Sequence, residues 1–88
     1  MNVEFKKSFL KDLERVTDKA LRERVKQVIK RIEKAQTLHE VENIRKPRSS
    51  GQYYRIRIGD YRLGLALQGQ TVTFVRFLHR KDVYRYFP

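Results

Sequence analysis

The chain has no cysteine, no tryptophan, two prolines and two histidines. Without cysteine there is neither a disulfide framework nor a thiolate metal site. His39 and His79 have no carboxylate cluster near them in sequence, so neither a catalytic metal nor any other cofactor is expected. No run approaches the about eighteen apolar residues of a membrane span, and the N-terminal stretch has no continuous apolar segment of the secretory kind. The expectation is a cytoplasmic protein without a membrane partner. Negative charge is scarce as well: Asp and Glu number 10 against 21 Lys and Arg, a formal charge of +11. The resulting pI near 10.4 implies attraction to polyanions, nucleic acid first, and to an acidic protein second. At 88 residues the chain is long enough for one domain with one core, residues 1–88.

What is present falls into short elements. Asn2 to Phe5 reads as a strand. From Lys6 the apolar period becomes helical, with Phe9, Leu10, Leu13 and Val16 on one stripe. Thr17-Asp18 interrupts and offers an N-cap for a second helix. That helix carries the stripe Leu21, Val25, Val28, Ile29, Ile32 and Ala35, with Lys19, Arg22, Lys26, Lys30 and Lys34 on the opposite side as a solvated basic face. Residues 37–52 read as a loop: Pro47 has no donor, Ser49-Ser50-Gly51 is turn chemistry, and Arg45, Lys46 and Arg48 make it a basic arm suited to RNA.

Three strands follow. Tyr53, Arg55 and Arg57 alternate with Tyr54, Ile56 and Ile58, and Gly59-Asp60 has the Gly-first pattern of a type II′ hairpin turn. The returning strand sets Leu63, Leu65 and Leu67 against Arg62, Gly64 and Ala66. If the leucines join Ile56 and Ile58 in the core, Arg62 shares a face with Arg55 and Arg57. Three guanidinium groups on one sheet face call for an anion. After a Gln68-Gly69-Gln70 turn, the third of these strands runs from Thr71 to about His79. Strict alternation puts Val75 and Phe77 in its core and Arg76 on the open side, with Arg80 continuing that side. Lys81 to Tyr86 reads as one helical turn. Short connections make the three strands antiparallel neighbours. The expected fold is α+β, two N-terminal helices on one face of a mostly antiparallel sheet of about four strands, in the order β-α-α-β-β-β. The other face combines Arg55, Arg57, Arg62, Arg76, Arg80 and Lys81 with Tyr53 and Tyr84, phosphate clamps beside flat rings, as single-stranded RNA requires.

The segments Tyr54-Arg55-Ile56-Arg57, Gly59-Asp60-Tyr61-Arg62 and His79-Arg80-Lys81-Asp82-Val83-Tyr84 resemble those of RelE-type toxins of type II toxin–antitoxin systems, across the whole chain. The resemblance implies the RelE/ParE microbial ribonuclease-like fold. It also implies an mRNA interferase, an endoribonuclease that cleaves mRNA in the ribosomal A site by metal-free 2′-hydroxyl attack, inhibits translation and is neutralised by an acidic antitoxin. Its phosphate-binding arginines would fall on Arg62 and Arg80, its basic strand pair on Arg55 and Arg57, its C-terminal tyrosine on Tyr84. The best-known member has lysines in place of the strand pair. Arginine does not deprotonate in proteins, so Arg55 and Arg57 can stabilise charge but cannot act as bases. His79 is the candidate general base by its chemistry, although strand alternation turns it toward the core side. The ribosome or the RNA could equally supply the acceptor. Two other readings share this fold: a ParE-like toxin directed at gyrase, and a non-catalytic RNA-binding module.

Overall fold

The computed structural model describes residues 1–47 and 51–88. Arg48, Ser49 and Ser50, placed by the sequence in the basic arm and its turn, lie outside the described residues.

The chain runs β1 (Asn2–Phe5), α1 (Lys7–Glu14), α2 (Lys19–Lys34), a 3-10 turn at Leu38–Glu40, β2 (Ile44–Arg45), β3 (Tyr53–Ile58), β4 (Tyr61–Gln68), β5 (Thr71–His79) and α3 (Val83–Tyr86). Asp18 caps α2 as its position promised, its carboxylate accepting from the backbone N–H of Ala20 and Leu21 at 2.9 and 3.2 Å. The strands form one five-stranded sheet in the order β1-β5-β4-β3-β2, with β1 parallel to β5 and the other pairs antiparallel. The α+β class holds. The extra strand is β2, inside the stretch expected to be loop; its two residues pair with Ile56 and Arg55, too short a segment for any periodicity to register.

Both hairpins close as their glycines demand. Ile58 pairs with Tyr61 across Gly59-Asp60, and Gln68 with Thr71 across Gly69-Gln70. Gly59 and Gly69 each take φ +57°, which costs a Cβ-bearing residue dearly.

The core lies between the helices and the sheet. Phe9, Val25 and Ile32 from the helices meet Ile56, Ile58, Leu63, Leu65, Val72, Phe74 and Phe77, all of them buried. Strict alternation does not hold along β5. Phe77 is in the core, but Val75 is only half-buried, and Val72 and Phe74 occupy the core in its place. Gly64 pairs with Arg76 and Leu65 with Phe74, so Val75 is left without a partner as a bulge. One extra residue reverses the alternation, putting Val72 and Phe74 on the same side as Phe77.

The bulge sits where β5 changes neighbours. β1 pairs it as far as Phe74, and beyond that α1 takes over. Ser8 Oγ donates to the Val75 carbonyl at 2.6 Å. Asp12, on the apolar side of α1 and 5% exposed, accepts the Phe77 backbone N–H at 3.0 Å. A backbone edge that would otherwise be unpaired is satisfied by two helix side chains.

Candidate nucleic-acid interface

The β3–β4 register sets Arg57 directly opposite Arg62, and Arg55 opposite Gly64. The side chains of Arg55, Arg57 and Arg62 line one groove of about 340 Å³, together with Asn43 just ahead of β2, Ile44 and Arg45 of β2 itself, and Tyr84 from α3. This is the arginine face read from strand alternation. Arg62 Nη1 donates to the carbonyls of Gly59 and Tyr61 at 3.0 and 2.9 Å, which steers its guanidinium along the hairpin turn. The Arg55 guanidinium lies over the Tyr84 ring at 4.7 Å, a cation–π contact that orients both. Tyr84 is nonetheless 78% exposed.

The socket for α3 is prepared by a missing side chain. Gly64 interrupts the leucines of β4, and a Cβ there would stand 2.6–2.8 Å from the Phe87 ring. Phe87 is buried, lies over this glycine, and meets Tyr53 edge-on at 5.5 Å. Val83 is buried beside it. Part of the sheet face expected to be open is therefore covered by the C-terminal turn, and that cover places Tyr84 over Arg55.

The other sequence candidates divide. Arg76 leaves the face and reaches round the β5 edge to Asp12, with Nε to Oδ2 at 2.7 Å and Nη2 to Oδ1 at 3.0 Å. This two-pronged bond raises the Arg76 pKa above its ordinary value, desolvation opposing. Tyr86 lies 5.8 Å from the same guanidinium. Arg76 is thus neutralised where it stands. Arg80 sits at the hairpin, its N–H on the Asp60 carbonyl at 2.7 Å and its exposed side chain 3.9 Å from the Asp60 carboxylate; it does not line the groove. His79 does not line it either. Its Nδ1 accepts from the Lys81 N–H at 3.2 Å and its ring meets Tyr61 edge-on at 5.5 Å, on the side that alternation indicated. Lys81 is exposed, and the Lys46 ammonium lies over Tyr54 at 5.7 Å. Arg48 falls outside the described residues.

Sequence reasoning missed Asn43 and Ile44. Asn43 holds φ +63°, a left-handed conformation that asparagine tolerates better than most residues, and its carbonyl accepts the Arg57 N–H at 3.1 Å. An asparagine just ahead of a two-residue strand gives no periodic signal.

Among the described residues the ion pairs are Arg76–Asp12 and Arg80–Asp60. Arg45, Arg55, Arg57 and Arg62 therefore converge on one groove without a carboxylate partner, an arrangement suited to a multiply charged anion. No cluster of three His, Cys, Asp or Glu able to ligate a metal occurs among the described residues, and no helix among them is long and apolar enough to cross a membrane.

Comparison with known proteins places the chain in a family and its fold among solved structures. Residues 3–84 match the family described as ParE toxin of type II toxin–antitoxin system, parDE. The chain is 42% identical to Toxin RelE3 of Methanocaldococcus jannaschii, over 100% of both. It superposes with a TM-score of 0.83 on a chain of the RelB-RelE antitoxin–toxin complex from Methanococcus jannaschii, at 40% identity and covering 97% of this chain and 99% of that one. The archaeal RelE-RelB complex from Pyrococcus horikoshii shares the fold, with a TM-score of 0.74 at 23% identity over 90% of this chain and 93% of that one. With both the family match and the full-length relative in agreement, this chain belongs to the RelE/ParE family, as a RelE-type toxin of type II toxin–antitoxin systems.

Proposed function

We propose that this toxin is a ribosome-dependent endoribonuclease that cuts mRNA in the A site and so inhibits translation. The observation that carries the reading is the groove itself: guanidinium groups from two paired strands with no carboxylate partner among the described residues, and one phenol stacked on Arg55. In the reaction the RNA 2′-oxygen attacks the adjacent phosphorus as the bond to the 5′-oxygen breaks, leaving a 2′,3′-cyclic phosphate and a 5′-hydroxyl. Arg55, Arg57 and Arg62 stabilise the charge that accumulates on the phosphoryl oxygens, the kind of preorganised field that supplies much of enzymatic rate enhancement. Among the described residues that line the groove, Tyr84 is the one that can exchange a proton, since arginine stays charged and asparagine does not titrate. It protonates the leaving 5′-oxygen. The proton of the 2′-hydroxyl passes to an acceptor on the ribosome or the RNA, because His79 stands away from the groove. Arg80 belongs at the rim, where it can meet the RNA strand beyond the hairpin.

The solved RelE complexes similar to this chain contain RelB. For this chain we infer an acidic antitoxin whose C-terminal segment folds on it through charge and an apolar groove or open sheet edge, with affinity that falls as salt rises.

Mapping mRNA ends on translating ribosomes tests the enzymatic reading. The wild type should produce cuts in A-site codons. Tyr84→Phe should bind ribosomes normally and lose most single-turnover cleavage. A nearly silent Tyr84→Phe beside a damaged Tyr84→Ala would make Tyr84 a stacking surface and remove it as the acid. Binding without cuts would overturn the nuclease reading.

A further inference from the structure

The arginine groove continues round the sheet edge. β2 ends after two residues, and beyond it a second groove of about 160 Å³ opens between β3 and α2. Asn43 and Arg57 line both grooves, so the two adjoin. The second has a floor of Val28, Val41, Ile56 and Ile58, all buried, and a rim that includes Arg24, Gln27 and Arg31 from α2. Arg24 leans across to the β3–β4 hairpin, its Nη1 3.3 Å from where a Cβ of Gly59 would stand. Arg62 bonds the carbonyl of that same glycine from the other side. Neither Arg24 nor Arg31 has a carboxylate partner among the described residues.

We propose that this second groove is a nucleotide subsite, taking the stretch of the substrate strand next to the phosphodiester held between Arg55, Arg57 and Arg62. The proposal rests on the RNA reading of the first groove and extends it to α2. Arg24 and Arg31 would hold a neighbouring phosphate, the aliphatic floor would carry the sugar or base, and the amides of Gln27 and Asn43 present donors and acceptors to a base edge. Glu42, also on the rim, accepts hydrogen bonds only, and so favours an exocyclic amino group over a phosphate there. The shared wall at Arg57 and Asn43 favours one strand running through both grooves over two separate ligands.

The test is binding of non-cleavable 2′-O-methyl oligoribonucleotides, a dinucleotide and a hexanucleotide of the same core sequence, measured by fluorescence anisotropy over a range of salt. The proteins are the wild type, Arg62→Ala and the double variant Arg24→Gln/Arg31→Gln, each with its thermal unfolding recorded. The wild type should bind the hexanucleotide more tightly by tenfold or more, with a steeper salt dependence. In the double variant that length advantage should largely vanish, and the slope of log K against log salt should fall by about 0.7 for each phosphate no longer neutralised. Arg62→Ala should weaken both oligonucleotides. A double variant that keeps the full length advantage overturns the subsite and leaves the first groove's reading intact. If Arg62→Ala is silent while the double variant loses the length advantage, the second groove is an RNA site and the first groove's reading fails. If the double variant binds RNA normally but loses affinity for an acidic antitoxin-type peptide, the groove is a protein-docking surface and the proposal is wrong. No detectable binding of either oligonucleotide to the wild type also overturns it.

Discussion

Arg76 and Arg62 sit on neighbouring strands and read alike in sequence, yet they live in opposite circumstances. Arg76 meets a carboxylate that is buried beneath α1 and is held by two hydrogen bonds. Among the described residues Arg62 bonds only to backbone carbonyls of its own turn, beside Arg55 and Arg57. The first environment cancels a charge to close a sheet edge; the second leaves charges uncancelled where a ligand can use them. What separates a structural arginine from a functional one here is the partner that the fold brings to it.

The largest expected effect comes from the functional side. Arg62→Ala should lower the rate of mRNA cleavage by about 10²–10³-fold, about 2.7–4 kcal/mol of transition-state stabilisation. Its urea midpoint should barely move, because what loses a donor is two carbonyls at the hairpin turn, one bond exposed and the other part-buried. A large loss of stability would erase the distinction between Arg62 and Arg76.

On the structural side, Asp12→Ala should destabilise the fold by about 2–4 kcal/mol, since it strands both the Arg76 guanidinium and the Phe77 N–H. Adding Arg76→Met should recover part of that loss, because an apolar side chain needs no counter-charge. If Asp12→Ala instead left stability unchanged and abolished cleavage, the ion pair would belong to the functional region.

Gly64→Ala joins the two regions. The added methyl must push Phe87 off β4, at about 1–3 kcal/mol, and carry α3 with it, so the stacking of Arg55 on Tyr84 should weaken. The cost of Gly64→Ala should shrink in a Phe87→Ala background, measured as a double-mutant cycle in urea. Additive costs would mean that the ring and the glycine do not meet.

The smallest effect concerns Glu40. Its carboxylate accepts the N–H groups of Thr37 and Gln36 at 2.7 and 2.8 Å, and these bonds hold its pKa below the ordinary 4.5. A lowered folded-state value stabilises the fold above about pH 4.5 and loses that contribution as pH falls through the folded value. Glu40→Gln should therefore flatten the acid limb of stability slightly, and leave neutral-pH cleavage as it was.

Much of this was readable in the residues. Asp18 announced the start of α2, the glycines at 59 and 69 announced both hairpins, and the alternation of Arg55 and Arg57 with Ile56 and Ile58 set the groove's register. Arg22 shows where such reading stops. It looks like one more solvated charge on α2, yet its Nη1 donates to the carbonyls of Leu13 and Val16 at 2.7 and 3.2 Å, closing the end of α1. Asp12 did leave a trace, an acidic residue within the apolar stripe of Phe9, Leu13 and Val16, but nothing in the stripe names its partner 64 positions away.

By itself the sequence determined what depends on near neighbours: the helix stripes, the caps, the turns, and which face each strand residue takes while alternation holds. Those follow from local sterics and from a period of 2 or 3.6 residues, which a short window contains in full. Tertiary structure decided the rest. The bulge at Val75 arises where β5 passes from β1 to α1, β2 exists because β3 offers it an edge, and Tyr84 reaches Arg55 because Gly64 leaves room for Phe87. Each of these depends on groups far apart in the chain that meet only once the core has formed, and a meeting of that kind leaves no period behind it.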